Sequence, residues 1–169
     1  MRESIGGAWT FQLVIAFILL FTAFLAVTIN YTRAYRIKNE MLSFIERKEG
    51  FTDVNDSTGK NSGTFQLINN FLLQNNHMTM GDCPAGWLGA VSIDEMPTYE
   101  VAVSNSEYYY CVNKNKNLSK TEPDKAYYEI QLFFEFNLPV VGELFTFSVR
   151  GTTTVVQAPA DDAVWARIK

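Results

Sequence analysis

A chain of 169 residues with 14 Lys and Arg against 18 Asp and Glu, net charge −4, has room for one domain and an appendage. The charge is unevenly placed: residues 1–49 carry a net of +2 and residues 50–169 a net of −6. An acidic C-terminal part has nothing to displace phosphate counterions, which argues against a nucleic-acid partner, and the 13 Phe and 8 Tyr favour half-buried pleated surfaces.

The first predicted element is the strongest. Residues 8–29 form a run of 22 without a charge. About 20 apolar residues cross a bilayer core as a helix. A secretory signal has a shorter apolar region, ~7–15 residues, ending at a small-residue cleavage site. Thr22, Ala23, Ala26 and Thr28 imitate such a site, but the run ahead of them is already too long. A retained membrane helix is therefore expected, ahead of a removed signal or a buried soluble helix. The helix should continue past the membrane. Ala34, Ile37, Met41, Phe44 and Ile45 are spaced as one helical face. Arg33, Arg36, Lys38, Glu40, Glu46 and Arg47 mostly occupy the remainder. Gly50 is the first helix stop, and Arg47 and Lys48 suit the negative end of the helix dipole. The expectation is one helix from about Ala8 to about Lys48, ~60 Å long and twice the hydrocarbon thickness. That divides the chain into residues 1–7 ahead of the span, 8–29 in the membrane, 30–49 as an amphipathic continuation, and 50–169 as an α+β domain.

Residues 51–63, rich in Asp, Asn, Ser, Gly and Thr, read as a loop. Residues 64–73 carry Phe65, Ile68, Phe71 and Leu72 at the spacing of a short amphipathic helix. Residues 75–89, with Cys83, Pro84 and Trp87, read as irregular. Residues 99–103 and 107–113 read as a hairpin joined by Ser104, Asn105 and Ser106, and residues 113–125 as turns. The clearest alternation follows. Tyr128, Ile130, Leu132, Phe134, Phe136 and Leu138 interleave with Glu129, Gln131, Phe133, Glu135 and Asn137, the period of a half-buried strand. Pro139 and Gly142 turn the chain. Phe145, Phe147 and Val149 resume the pattern in a strand expected to run through Gly151 to about Val156. A sheet face of this kind needs a cover. Ile37, Met41, Phe44 and Ile45 can supply it against Ile130, Leu132, Phe134, Phe136, Phe145 and Phe147. The fold class is therefore α+β: a long N-terminal helix, transmembrane then amphipathic, packed on a small antiparallel sheet. Residues 159–169 are expected to form a helical turn around Trp165 or a frayed end. Tyr127 and Phe133 on the second sheet face, with the run Glu107-Tyr108-Tyr109-Tyr110, are either internal packing or an exposed surface for a partner.

The only cysteines are Cys83 and Cys111. Paired, as in an oxidising compartment, they close a loop of roughly 28 residues that stabilises by about 3–4 kcal/mol; two unrelated buried thiols are the alternative. Such a pair is what an outward-facing domain would carry. The positive-inside count, with Arg2 before the span and Arg33, Arg36 and Lys38 after it, points the other way. Three basic groups just beyond an outer surface can snorkel to lipid phosphates, so these two cues alone leave the side of the membrane open. Catalysis finds no support. His77 stands alone as a loop residue, without a zinc-ligand cluster or a Gly-rich phosphate loop. Glu129, Glu135, Asp161 and Asp162 read as solvated carboxylates, and the sequons at Asn55 and Asn117 are weak. No catalytic residue, cofactor, metal or small-molecule substrate is expected.

A short leader, a helix that is lipid-soluble first and amphipathic later, and then a small β-sheet domain: this order of parts resembles a type IV pilin or pseudopilin. Prepilins of that family are cut after a Gly just before the apolar run, so the resemblance implies processing between Gly7 and Ala8. Where the family usually has Glu as fifth mature residue, this chain has Gln12, the only strongly polar residue in the span. Phe136-Asn137-Leu138-Pro139-Val140-Val141-Gly142 followed by a strand is similar to the TadE/TadG branch, the pseudopilin-like components of tight-adherence (Tad) pilus systems. The resemblance implies a pilin-like fold and a single-pass protein of the cell membrane, with residues 1–7 as a leader or cytoplasmic N-terminus and residues 50–169 as an extracytoplasmic domain, in agreement with the cysteines and against the basic-residue count. Its partners would be membrane lipid, other pilin-like subunits and an assembly platform. In the family the Glu carboxylate pairs with a neighbouring subunit's N-terminal amine, and a carboxylate in lipid demands such a partner. A neutral Gln12 implies a minor or priming subunit, or an uncleaved anchor; a plain helix–helix contact is the simpler role. The alternative function is a monomeric membrane-tethered module that binds a partner at the cell surface.

Overall fold

The apolar and amphipathic runs form one helix, α1 (Arg2–Arg47), in the computed structural model. The structure describes residues 2–52, 63–94, 98–115, 125–137 and 144–157; for residues 2–8, 136–137 and 144–145 it describes the backbone alone. α1 begins six residues before the expected Ala8, and Gly6 and Gly7 do not interrupt it. Its end also differs in detail. Glu49, not Gly50, takes the left-handed position (φ 54°), with its N–H donating to the Glu46 carbonyl at 3.2 Å and the Gly50 N–H to the Ile45 carbonyl at 3.0 Å. Those two bonds satisfy carbonyls the helix would otherwise leave bare.

The amphipathic spacing of residues 64–73 folds as α2 (Thr64–Gln74), which buries Phe65, Ile68 and Leu72. It closes as α1 does: Asn76 is left-handed (φ 50°), and the His77 N–H reaches the Leu72 carbonyl at 2.9 Å. Thr64 Oγ1 donates to the Gly50 carbonyl at 2.7 Å, tying the start of α2 to the end of α1. Phe51 between them is fully buried, edge-on to Phe65.

The strands are β1 (Gly81–Asp82), β2 (Leu88–Ser92), β3 (Thr98–Val101), β4 (Glu107–Tyr108), β5 (Tyr110–Asn115), β6 (Lys125–Asn137), β7 (Leu144–Thr152) and β8 (Val156–Gln157). The main sheet has the order β3-β2-β5-β6-β7, with β8 also pairing β6, while β1 and β4 form a two-stranded ladder. Every pairing is antiparallel. The expected hairpin of residues 99–103 and 107–113 does not form. β2 lies between them, Leu88 pairing with Val101 on one side and Val112 on the other. β2 escapes a period-two reading because Leu88, Gly89 and Ala90 are buried in succession.

The long hairpin is β6–β7, in register from Glu129↔Thr152 to Asn137↔Leu144. Its second strand stops at Thr152 instead of running on to Val156. Thr153 is the reason. Its N–H donates to the Tyr128 carbonyl, while its Oγ1 takes the Tyr128 N–H where a carbonyl would, both at 2.9 Å.

Ala34, Ile37, Met41, Leu42 and Ile45 of α1 are buried in one cluster with Tyr128, Ile130, Leu132 and Phe134 of β6. The long helix therefore packs on the antiparallel sheet with its second half only: an α+β architecture. The helix comes close at β7, where a Cβ on Gly151 would lie 2.8 Å from both Leu42 Cδ1 and Lys38 Cδ. The second face of β6 is covered as well. Of the two readings open for Phe133, the structure shows internal packing: it is buried with Cys83, Ala102, Tyr108 and Cys111 in a smaller cluster flanked by Trp87. Its ring fits because Gly81 has no side chain, and the Tyr108 ring lies over Gly89 likewise. Tyr110 is buried in the main core and Tyr109 packs against it, so most of the tyrosine run is internal packing. Pro139, Gly142, Asn55, Asn117 and the tail with Trp165 lie outside the described residues.

Candidate functional site

The part of α1 that does not touch the sheet is the candidate site. From Trp9 the helix contains an 18-residue window of mean hydropathy 2.6, none of it buried within the protein. Trp9, Phe17 and Leu20 are 68%, 69% and 73% exposed. Monomers in water rarely expose apolar patches beyond a few hundred Å². By length and composition α1 is able to cross a membrane. Polar groups within the run are placed accordingly: Thr22 Oγ1 donates to the Leu19 carbonyl and Thr28 Oγ1 to the Phe24 carbonyl, both at 2.9 Å. Satisfying a hydroxyl on its own helix is what a hydrocarbon setting requires. Gln12 is exposed on the helix surface. The Gly7–Ala8 bond lies within α1, and the side-chain surroundings of these residues are outside the described set.

The seat of the helix on the domain combines expected and unexpected residues. Ile37, Met41 and Ile45 meet Ile130, Leu132 and Phe134 in the core. Phe44 packs edge-on against Phe71 of α2 at 5.5 Å, so it joins the two helices. Phe147 stacks on Phe134 at 5.5 Å. Phe136 and Phe145 are paired in the β6–β7 ladder, and their side chains are outside the described set. The sequence reading missed Leu42 and Lys38. Lys38 is buried, its Nζ 3.7 Å from the centroid of the Tyr35 ring, and its stem lies over Gly151. Position 42 is one turn beyond Lys38 on the same side, a cue that a stripe of apolar residues alone does not use. Two polar links fix the helix further. An Arg33 terminal N–H donates to the Asn75 carbonyl at 2.7 Å, at the negative end of α2. Glu46 Oε1 accepts from the Thr154 N–H at 2.7 Å and from its hydroxyl at 3.0 Å.

His77, open in the sequence as a surface or loop-bracing residue, braces the loop after α2 as part of this seat. It is buried, its ring 4.6 Å from that of Phe134, and its Nε2 has no partner among the described residues. Burial, then the charge of Arg33, push its pKa down to about 4, opposed by a hydrogen bond with the Phe133 backbone. The unfolded chain takes up a proton near pH 6.5 and the folded one resists until about 4, so stability falls as pH drops through that window. The loss is on the order of 3 kcal/mol. His77→Phe should remove that part of the slope, read as the difference between its pH–stability curve and that of the parent chain.

Cys83 and Cys111 form a disulfide with Cα atoms 5.7 Å apart, which fastens the β1 end to β5. Beside it Arg150 Nε donates to Gln131 Oε1 at 2.7 Å and its guanidinium lies 5.6 Å from the Trp87 ring. Compared with family models, with curated proteins and with solved structures, the chain gives no match.

Proposed function

We propose that this chain is a membrane-anchored, pilin-like subunit, a minor pilin or pseudopilin of a type IV or Tad-like pilus or secretion assembly. The observation that carries this reading is the continuity of α1: one unbroken helix is exposed and apolar in its first half and is built into the domain through its second. A rod of this kind passes from lipid into a bundle of similar helices without unfolding its head. Association in lipid comes from packing and lateral hydrogen bonds, since lipid tails are as apolar as leucine. Gln12 is the residue for such a bond. The N-terminus is placed in the cytoplasm and the domain outside, where a disulfide persists.

The test is the membrane form itself. A mature N-terminus at Ala8, with crosslinks to neighbouring subunits, is the expected result. Gln12→Leu should lower crosslinking several-fold and leave the domain's unfolding curve unchanged, because position 12 is remote from the core. An intact residue 1 with no crosslinked neighbour would sink the assembly reading and leave a monomeric tethered module.

A further inference from the structure

We propose that the outward side of α1 just past Ile29 binds the phosphate headgroup of an anionic glycerophospholipid, held by Arg33 and Arg36. The site depends on α1 crossing the bilayer as proposed above, and names a partner for its outer end. Thr28, Ile29, Thr32, Arg33 and Arg36 line a shallow, open cleft of about 350 Å³. By helical spacing they share the side turned away from Ala34, Met41 and Ile45, which the sheet covers. Among the described residues, Thr28, Ile29, Thr32, Arg33 and Arg36 are none of them buried by that sheet.

The axial register fits a headgroup. Arg33 and Arg36 lie ~6 Å and ~10 Å along the helix beyond Ile29. The headgroup layer on each side of a bilayer is ~5–7 Å deep. Helical side chains lean toward the N-terminus, here toward the membrane, so the Arg36 guanidinium reaches back into the layer that Arg33 already occupies. The cleft changes character in the same direction. Ile29 offers an apolar wall on the bilayer side, and the Thr28 and Thr32 hydroxyls are turned onto the Phe24 and Thr28 carbonyls at 2.9 Å and 2.8 Å. An acyl chain can pass them without facing a bare donor. Tyr31 and Tyr35 are exposed beside the site, with ring centroids 6.0 Å apart. Tyr31 is ~33 Å up the helix from Trp9, so aromatic rings mark both edges of one bilayer thickness. Of the three basic groups after the span, Lys38 is excluded because it is buried over Tyr35. Arg33 and Arg36 are exposed, and Arg33 gives one terminal N–H to Asn75 while keeping others for a phosphate.

The experiment uses the full chain in micelles containing equal phosphatidylcholine and phosphatidylglycerol, with retained lipid counted by native mass spectrometry. The parent chain should keep phosphatidylglycerol in preference to phosphatidylcholine. A basic group at an anionic surface is worth about a factor of five, so Arg36→Gln should weaken retention about fivefold and Arg33→Gln with Arg36→Gln roughly thirtyfold. Arg47→Gln, an exposed cation on the far end of the helix, should change nothing. Arg36→Gln keeps the Arg33–Asn75 bond, so its result stands if the double variant fails to fold. Equal retention of the two lipids, or unchanged retention in Arg36→Gln, would overturn the site. Alkaline carbonate extraction separates this from the anchor: a chain released from membranes sinks the bilayer reading, whereas one that stays embedded without preferring phosphatidylglycerol sinks the lipid site alone.

Discussion

Met41→Ala lowers the stability of the globular domain by about 2–5 kcal/mol, and Met41→Asp prevents it from folding. Met41 is fully buried where α1 lies on β6, in the cluster that includes Ile37, Ile45, Ile130 and Leu132. Truncating a side chain there removes its transfer free energy and leaves a cavity that a close-packed core fills only in part. A domain of this size has a net stability of about 5–15 kcal/mol, so the loss is a large share of the whole. The aspartate variant is worse because an unpaired carboxylate would sit among apolar side chains. Met41→Leu, which keeps volume and polarity, should cost less than ~1.5 kcal/mol. Leu13→Ala is the matched control: Leu13 is on the same helix but exposed in the apolar half, so it should leave domain unfolding unchanged. The measurement is urea unfolding of the full chain in detergent, followed by near-ultraviolet circular dichroism. Equal midpoints for Met41→Ala and the parent would mean that α1 is a mere leash, and the continuity argument for a rigid rod would fail with it.

The helix and the long hairpin are legible in the sequence because each repeats one rule over many residues. Twenty-two uncharged residues admit few readings, and an alternation of Tyr128, Ile130, Leu132 and Phe134 places four side chains on one face at once. What escapes is short or depends on partners distant in sequence. β2 spans five residues, three of them buried in succession because the sheet is covered on both faces there. Alternation puts Phe133 on the second face without saying what covers it; Gly81, 52 positions earlier, makes room for its ring. Lys38 reads as a solvated cation until Gly151 supplies a bed for its stem and Tyr35 a face for its charge. His77 is the loop residue the sequence suggests, but its burial is not legible because neither Phe134 nor Arg33 is near it in sequence. The long apolar helix is thus local information, whereas the way the domain seats on it is not.

Removing the disulfide, by Cys83→Ala with Cys111→Ala or by reduction, costs about 3.5 kcal/mol in the chain-entropy model for a loop of 28 residues. For a domain of roughly this size that is a fall in Tm of about 10–15 °C. The location of the bond explains why so small a device matters. The second core consists of Cys83, Ala102, Tyr108, Cys111 and Phe133, with Trp87 alongside. The ladder that covers it, β1 with β4, pairs only Gly81 with Tyr108 and Asp82 with Glu107. Two such pairs do not hold a ladder in water. Besides the disulfide, the 3.3 Å bond from Gln131 Nε2 to the Asp82 carbonyl and the Phe133 ring over Gly81 tie the β1 end to the main sheet among the described residues. Loss of the bond should therefore open this side first, wetting Phe133 and Trp87, while the α1–β6 core unfolds later. Hydrogen exchange should show faster exchange in residues 81–90 and near-parent protection in β6. A reduced chain with the parent Tm and parent exchange at β1 would mean that Phe133 and Tyr108 hold this cover unaided. The same bond bears on where the domain resides: the double alanine variant should accumulate to lower levels only if the chain matures in an oxidising compartment, because a reducing one would leave the parent equally unlinked.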